Sequence, residues 1–225
     1  MNKIPVIAID GPSGSGKGTI AAKVAEKLGF LLLDSGVLYR ILGIAVLKGG
    51  VHLEDIDRLT ALALQMDIEF GPSGLDSVTL DGEDVSLEIR TDIGSQMASK
   101  VGAIPAARNA LFKRQLAFRK PPGLVADGRD MGAVVFPDAA VKIFLTASAE
   151  ERAQRRYKQL IGKGIDATLP DLLQELRERD KRDSQREISP LKPAEDATIL
   201  DTTHQSIDEV VNQVMAQCNN ELGMA

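Results

Sequence analysis

Cysteine and long apolar runs are scarce in this sequence, and each shortage excludes a class of protein. The single cysteine, Cys218, cannot form an intramolecular disulfide, so we expect a reducing compartment. No apolar run approaches the roughly eighteen residues of a membrane span. The first apolar stretch ends at Asp10, too early for a signal peptide. We therefore expect a soluble, cytoplasmic protein without a membrane partner.

Histidine is scarce as well, and the chain carries no excess of positive charge. The two histidines, His52 and His204, lie outside the motifs described below and are predicted to be non-catalytic. Lysine and arginine total 27 against 32 aspartates and glutamates, which argues against a nucleic-acid binder with a basic face. Net charge does not report local fields, so groups of arginines remain able to bind small anions.

The order of the apolar runs predicts an α/β fold. The 225 residues, 44% of them hydrophobic, suit one domain with insertions. Short runs that are apolar on both faces alternate with helical segments, as in a doubly wound parallel sheet covered on both sides. Strands are predicted at 6–10, 30–34, 123–127, 141–147 and 197–202. Helices are predicted at 17–28, 36–47, 54–65, 103–119, 148–163, 168–187 and 206–221.

One segment breaks this alternation. Between 67 and 90, apolar residues alternate with polar ones, and the sequences GPSG and LDGED supply turn residues. This pattern predicts a small antiparallel β insert outside the main sheet, in a position where it can carry part of a substrate site.

A glycine-rich loop stands between the first predicted strand and the first predicted helix. The sequence GPSGSGKGT matches a phosphate-binding loop, in which main-chain N–H groups and a helix N-terminus surround phosphate oxygens that a Cβ atom would block. The predicted ATP-binding residues are Gly11, Pro12, Ser13, Gly14, Ser15, Gly16, Lys17, Gly18 and Thr19. Gly18 replaces the usual Ser or Thr, so we expect Mg²⁺ to be held mainly by phosphates and water, with Thr19 and Asp127 as candidate ligands.

Two groups of charged residues follow predicted strands. In DSGVLYR, Ser35 is a candidate cap for the next helix and Arg40 lies on that helix; a capped helix with a surface arginine is the structural alternative. In ADGRDMG, Asp127 ends a strand at the place where a magnesium-organising carboxylate belongs, and Arg129 and Asp130 follow it. Charges directly after a buried strand favour a functional role.

Two further groups lie on predicted helices. Arg152, Arg155 and Arg156 share one helical turn and suit a mobile cover over phosphates, although a solvated helix face explains them too. Arg179, Asp183 and Arg186 fall on one helical face. Acids and bases balance around them, which on spacing alone favours an exposed, salt-bridged helix.

Taken in order along the chain, the motifs resemble the bacterial cytidylate kinases, a family of nucleoside monophosphate kinases. The resemblance rests on IDGPSGSGKGT, LLDSGVLYR, DGEDVSLEIRT, ADGRDMGAVVFPDAAVKIFL, ERAQRR and ERDKRDSQR followed by SPL. It implies transfer of a phosphoryl group from ATP, with Mg²⁺, to CMP or dCMP. It also implies a five-stranded parallel core, a nucleotide-binding insert at about 36–120, a helical lid at about 150–170, and a monomer that acts on small molecules.

The resemblance also implies roles for matching residues. At the CMP phosphate and its surroundings it implies Ser35, Tyr39, Arg40, Arg129 and Arg186. At the cytosine it implies Ser99, Arg108 and Asp130, and at the ribose Arg179 and Asp183. The catalytic set is Lys17, Asp127, Arg129, Arg152, Arg155 and Arg156. A carboxylate that accepts from the cytosine N4 amino group would face the O4 of uracil unfavourably, which explains discrimination.

Two other functions remain compatible with a phosphate loop. A small-metabolite kinase of the shikimate or gluconate type would share the loop without needing residues that read cytosine. A nucleotide-gated regulator would bind ATP without transferring phosphate, and the 67–90 insert would then be a partner surface.

Overall fold

A computed structural model describes residues 3–71, 74–162 and 164–223, with only the backbone for 74–76. The chain forms two compact units: Met1–Leu33 with Phe118–Ala225, here the core unit, and Asp34–Ala117, here the insert unit. The strands are β1 (Val6–Asp10), β2 (Leu31–Asp34), β3 (Ile68–Gly71), β4 (Gly74–Leu80), β5 (Glu83–Asp84), β6 (Leu124–Gly128), β7 (Val141–Thr146) and β8 (Thr198–Asp201). The helices are α1 (Lys17–Leu28), α2 (Ser35–Lys48), α3 (Ile56–Gln65), α4 (Asp92–Val101), α5 (Pro105–Leu116), α6 (Ala149–Ile161), α7 (Leu169–Ser184) and α8 (Ile207–Leu222).

The main sheet confirms the predicted five-stranded parallel architecture. Its strand order is β2-β6-β1-β7-β8, so the strand that leads into the glycine-rich loop lies at the centre. Strands β1 and β6 are buried along their whole length, in keeping with sequences that are almost continuously apolar. The register pairs Asp10 with Gly128 and with Phe144, so residues that follow β1, β6 and β7 emerge at the same edge.

Apolar side chains of α1 and α8 form the core with this sheet. Ile7, Ile143, Val24 and Val211 belong to one buried cluster, which also includes the thiol of Cys218. This packing explains the spacing of the apolar positions along α1, where Ile20, Ala21, Val24, Ala25 and Leu28 are buried. Within the described residues, no helix has the length and apolar character that crossing a membrane requires.

The insert unit contains the predicted antiparallel segment. Strands β3, β4 and β5 form a three-stranded sheet in which Ile68 pairs with Leu80 and Phe70 with Val78. The β4–β5 turn is made by Asp81 and Gly82, both with positive φ, as a two-residue hairpin loop with primed geometry requires. The predicted GPSG turn includes residues 72 and 73, which lie outside the described residues.

Helix α4, which the sequence did not predict, packs against α2 in the insert unit. A Cβ atom on Gly43 of α2 would lie 2.7 Å from the Cβ of Met97, so glycine permits this close approach. Thr91 caps the helix by accepting from the N–H of Gly94 at 3.1 Å. The glycine and serines within α4 lower its intrinsic helix propensity, so the sequence pattern did not predict a helix there.

Two local predictions were wrong. Ser35 was predicted to cap α2, but the cap is Asp34, whose carboxylate accepts from the N–H of Val37 at 3.2 Å, and Ser35 is the first helical residue. Helix α7 was predicted to continue to 187, but it ends at Ser184, so Arg186 lies beyond the helix. An aspartate accepts from an N-terminal N–H group at least as well as a serine, which explains the first difference.

Candidate active site

The phosphate loop has a backbone that only glycine can adopt at key points. A Cβ atom on Gly11 would lie 2.1 Å from the carbonyl oxygen of Leu145, so the neighbouring strand excludes any side chain there. Gly14 and Gly16 have φ values of 78° and 90°, in the left-handed region. No described side chain caps α1, whose N-cap is Gly16, and its first N–H groups therefore suit an anion.

Two polar side chains lie within this loop. Lys17 is the first residue of α1, and its ammonium group donates to the carbonyl of Pro12 at 3.0 Å, so that it folds over the loop. Ser15 is 1% exposed, and its buried hydroxyl has no hydrogen-bond partner among the described residues. A buried hydroxyl without a partner costs free energy, and a phosphate oxygen would supply the missing acceptor.

Side chains from α6 contact the carbonyl groups behind the loop. Arg152 donates to the carbonyl of Ser13 at 3.0 Å and to the carboxylate of Asp180 at 2.6 and 3.1 Å, which ties α6 to α7. Arg155 donates to the carbonyl of Ser15 at 3.4 Å and forms an ion pair with Glu151 at 2.9 Å. The phosphate loop is thus held by the segment predicted to be a lid.

Beyond β6 a buried carboxylate joins residues that are distant in sequence. Asp183, 1% exposed, accepts from Arg129 at 2.9 Å and from Arg186. Burial alone would raise the pKa of Asp183, but the charges of Arg129, Arg186 and Arg179 outweigh burial and lower the pKa to about 2. The exposed, salt-bridged helix considered above is therefore wrong for Asp183, which is ionised and buried.

Asp127 lies directly beside the loop. Its Oδ2 atom is 3.2 Å from the position that a Cβ atom on Gly18 would occupy, so a side chain at 18 would crowd the carboxylate. Glycine at the place of the usual Ser or Thr thus makes room for Asp127. Carboxylate oxygens are ligands that Mg²⁺ accepts, and this arrangement fits a magnesium ion held near the phosphates.

The buried carboxylate of Asp10 links β1 to the segment that follows β6. Asp10 is 5% exposed and accepts from the N–H groups of Met131 and Gly132, both at 2.8 Å. These residues begin a π-helical turn, Met131–Val135, immediately after Arg129 and Asp130. Burial raises the pKa of Asp10 to about 7, although the two N–H bonds oppose the rise. Asp10 thus fixes the start of this turn.

Five of the predicted residues lie in the insert unit, namely Ser35, Tyr39, Arg40, Ser99 and Arg108. Ser35, Tyr39, Ser99 and Arg108 are buried there, and the guanidinium of Arg108 lies 5.6 Å from the ring centroid of Tyr39. Arg108 also donates to the carbonyl of Gly102 at 3.3 Å. Arg40 of α2 donates to the carbonyl of Ile89 at 3.3 Å. Polar side chains buried at this depth are unusual unless they bind a partner or a ligand.

Comparison with known proteins decides between the kinase families. The family model for cytidylate kinase matches residues 7–220.

The chain belongs to the cytidylate kinase family.

Curated relatives support the assignment over nearly the whole length. A cytidylate kinase from Aeromonas salmonicida (strain A449) is 56% identical over 222 residues, which cover 98% of this chain and 96% of that protein. One from Vibrio vulnificus (strain CMCP6) is 54% identical over 222 residues, which cover 98% of both chains. Among solved structures, an uncharacterized protein from Eubacterium ventriosum ATCC 27560 has a TM-score of 0.51 at 13% identity, with 97% of this chain and 99% of that one covered; this likeness shows the fold alone.

Membership of the cytidylate kinase family confirms the predicted enzyme class, a kinase. It decides against the small-metabolite kinase and the non-catalytic regulator. Of the predicted cytidylate kinase residues, the structure brings Arg129, Asp183 and Arg186 into direct contact. The sequence analysis did not predict three residues that contact the phosphate loop, α6 or the segment after β6: Asp10, Asp180 and Thr202. Each acts through a partner distant in sequence, so no local spacing signals it; only the position of Asp10 at the end of a buried strand offered a hint.

Proposed function

We propose that this chain transfers the terminal phosphoryl group of ATP to the phosphate of CMP or dCMP, and that the residues described above carry out the transfer. One observation carries the proposal. The phosphate loop follows β1, and Arg129 and Asp130 follow β6, which pairs directly with β1. Donor-binding and acceptor-binding groups therefore leave adjacent strands at the same edge of the sheet, where open α/β sheets bind ligands.

For the donor, we propose that the N–H groups of Gly11–Thr19 surround the phosphates of ATP, with Lys17 beside the terminal phosphates. The uncapped start of α1 supports this assignment. Mg²⁺ would be held mainly through phosphates and water, with Asp127 and Thr19 as its protein neighbours. A bound Mg²⁺ would draw charge from the phosphate oxygens.

For the acceptor, we propose that Arg129 and Arg186 bind the phosphate of CMP and that Asp183 and Arg179 bind its ribose. The ionised, buried Asp183 supports this, since it holds Arg129 and Arg186 in fixed orientations. We further propose that Asp130 accepts from the N4 amino group of cytosine. From the insert unit, the residues proposed for CMP are Ser35, Tyr39, Arg40, Ser99 and Arg108.

The chemistry needs no covalent intermediate with the protein. A phosphate oxygen of CMP, already ionised at neutral pH, attacks the terminal phosphorus of ATP. The bond from that phosphorus to the bridging oxygen breaks, and ADP leaves with the electron pair. Guanidinium and ammonium groups stabilise the charge that spreads over the transferring group. The candidates for this contact on α6 are Arg152, Arg155 and Arg156, of which Arg152 and Arg155 also donate to loop carbonyls.

A panel of acceptors tests the proposed function. ADP release from ATP, followed with a coupled assay, is expected to rise strongly with CMP or dCMP and barely with AMP, GMP, shikimate or gluconate. Equal rates with all the monophosphates would contradict a site that reads cytosine.

The role of Asp130 has a test of its own. We expect Asp130→Ala to reduce the ratio of kcat/KM for CMP over UMP by about tenfold or more, since a buried unpaired group costs about 1–3 kcal/mol. Binding of ATP alone is expected to stay within twofold of the wild-type value. An unchanged ratio of CMP to UMP would remove Asp130 from base recognition.

We also propose that the protein works as a cytoplasmic monomer on small-molecule substrates, without a nucleic-acid or membrane partner. Sedimentation at assay concentrations is expected to give the mass of one 24.2 kDa chain. A dimer at those concentrations would contradict the monomer.

A further inference from the structure

Thr202, the residue after β8, has a hydroxyl group that reaches the back of the phosphate loop. Thr202 is 3% exposed, and its Oγ1 atom lies 3.2 Å from the carbonyl oxygen of Ser15 and 3.1 Å from the carbonyl oxygen of Thr146. A hydroxyl has one hydrogen and donates to one of these oxygens at a time. Arg155 supplies the other donors: it reaches Oγ1 of Thr202 at 3.1 Å, the carbonyl of Thr202 at 2.6 Å and that of Ser15 at 3.4 Å.

A second arginine of α6, Arg152, makes the equivalent contact two residues earlier in the loop. Arg152 donates to the carbonyl of Ser13 at 3.0 Å, and its Cβ atom would lie 3.2 Å from a Cβ atom on Gly14. The two held carbonyls therefore belong to the two Ser–Gly peptides of the sequence SGSG. Three donor side chains from outside the loop converge on these two peptides.

Because the peptide unit is planar, holding a carbonyl oxygen in place also fixes the direction of the N–H group that follows it. In a trans peptide the C=O and the following N–H point in opposite directions. Holding the carbonyls of Ser13 and Ser15 at the back therefore directs the N–H groups of Gly14 and Gly16 to the opposite side, where we propose that ATP phosphates bind. Each of these peptides precedes a glycine with positive φ, a residue type that resists rotation least. Without external donors, these peptides are the ones most free to turn.

We propose that Thr202 and Arg155, together with Arg152, form a rear brace: positioning residues that hold the Ser13–Gly14 and Ser15–Gly16 peptides so that their N–H groups face the phosphates of ATP. This proposal rests on the proposed function only in placing ATP on the loop. It gives Arg152 and Arg155, predicted from the sequence to act at the transferring phosphoryl, a role at the back of the loop.

The test compares Thr202→Val with Thr202→Ser and with a matched control, Thr203→Val. Valine removes the hydroxyl at similar volume, while serine keeps it. Thr203 is the adjacent threonine, and its hydroxyl contacts Asp201 and the N–H of Ser148 but no loop atom. Binding of an ATP analogue without CMP is measured by calorimetry, KM values for ATP and CMP by kinetics, and the amide signals of Gly14 and Gly16 by NMR.

We expect Thr202→Val to weaken binding of the ATP analogue and to raise the KM for ATP about five- to tenfold, the loss of about one hydrogen bond. The KM for CMP is expected to stay within twofold, the Gly16 amide signal to shift or broaden, and Thr202→Ser to behave like the wild type. Arg155→Met, which keeps the aliphatic stem, is expected to have a larger effect of the same kind. Thr203→Val is expected to leave binding of the ATP analogue unchanged.

Three outcomes would overturn the brace. The first is unchanged ATP binding in both Thr202→Val and Arg155→Met. The second is an equal loss of affinity for ATP and for CMP in these variants, and the third is a loss of ATP binding in Thr203→Val as strong as in Thr202→Val. If Thr202→Val fails to fold, wild-type ATP binding in a folded Arg155→Met variant, with an unshifted Gly16 amide, has the same meaning. Binding of the ATP analogue alone does not depend on the acceptor. A wild-type protein that binds ATP but does not phosphorylate CMP would therefore contradict the proposed function, while the binding measurements would still decide for or against the brace.

Discussion

Replacing Asp183 with Asn should reveal how strongly the buried carboxylate holds its arginines. The substitution keeps the shape and one acceptor oxygen but removes the charge between Arg129 and Arg186. The pKa of Asp183 falls from 3.8 to about 2 on folding, a difference that corresponds to about 2 kcal/mol of stability at neutral pH. Removing one partner of a buried pair typically costs about 3–5 kcal/mol, so we expect a loss of about 2–4 kcal/mol.

The pH dependence has a definite sign. The folded pKa of Asp183 is depressed, so its contribution is present above pH 3.8 and is lost as the pH falls towards 2. The difference in unfolding free energy between wild type and Asp183→Asn should therefore be about 1 kcal/mol smaller at pH 3 than at pH 7. Urea titrations at the two pH values measure this difference directly.

Asp138 provides a matched control. The ion pair with Lys3 lowers the pKa of Asp138 to about 2 as well, but its side chain is 34% exposed. Solvent screens an exposed pair, so Asp138→Asn should cost less than about 1 kcal/mol. Equal costs for the two variants, or a cost for Asp183→Asn that does not change with pH, would refute the reasoning that burial makes the Asp183 cluster strong.

Three further changes have defined outcomes. Lys17→Ala should lower kcat at least a hundredfold with unchanged circular dichroism, and near-normal turnover would exclude Lys17 from phosphoryl transfer. Gly11→Ala should destabilise the fold and abolish ATP binding, because its Cβ atom would lie 2.1 Å from the carbonyl of Leu145, whereas Gly50→Ala, with open space around it, should cost about 1–2 kcal/mol. Cys218 is buried, and burial raises the pKa of its thiol to about 11, so iodoacetamide at pH 8 should modify it only in urea; rapid alkylation of the folded protein would contradict this burial.

The parts of the fold that depend on local pattern were predicted from the sequence. Buried strands need continuous apolar residues, so β1, β6 and β7 were predicted within a residue or two of their observed bounds. The hairpin at Asp81 and Gly82 was predicted from its turn residues. Helix α4 was missed because its stability comes from packing on α2, while its own sequence contains glycine and serine in place of a continuous apolar stripe.

The candidate site was predicted only as far as local motifs reach. The sequence analysis placed Arg179, Asp183 and Arg186 on one helical face by their spacing. Whether Asp183 is buried, however, depends on Arg129, which lies 54 positions away in sequence. The contact of Thr202 with Ser15 spans 187 positions. Such contacts follow from the order of strands in the sheet, which places β8 and β6 near the loop after β1. Spacing alone therefore could not show which arginines of α6 contact the carbonyls of the loop.

A crystal structure with CMP and a non-hydrolysable ATP analogue tests the central claim most directly. We expect the phosphate tail of the analogue to accept hydrogen bonds from the N–H groups of Gly14 and Gly16, and the phosphate of CMP to contact Arg129 and Arg186. A CMP phosphate bound away from these arginines, or an ATP tail outside the loop, would contradict the account.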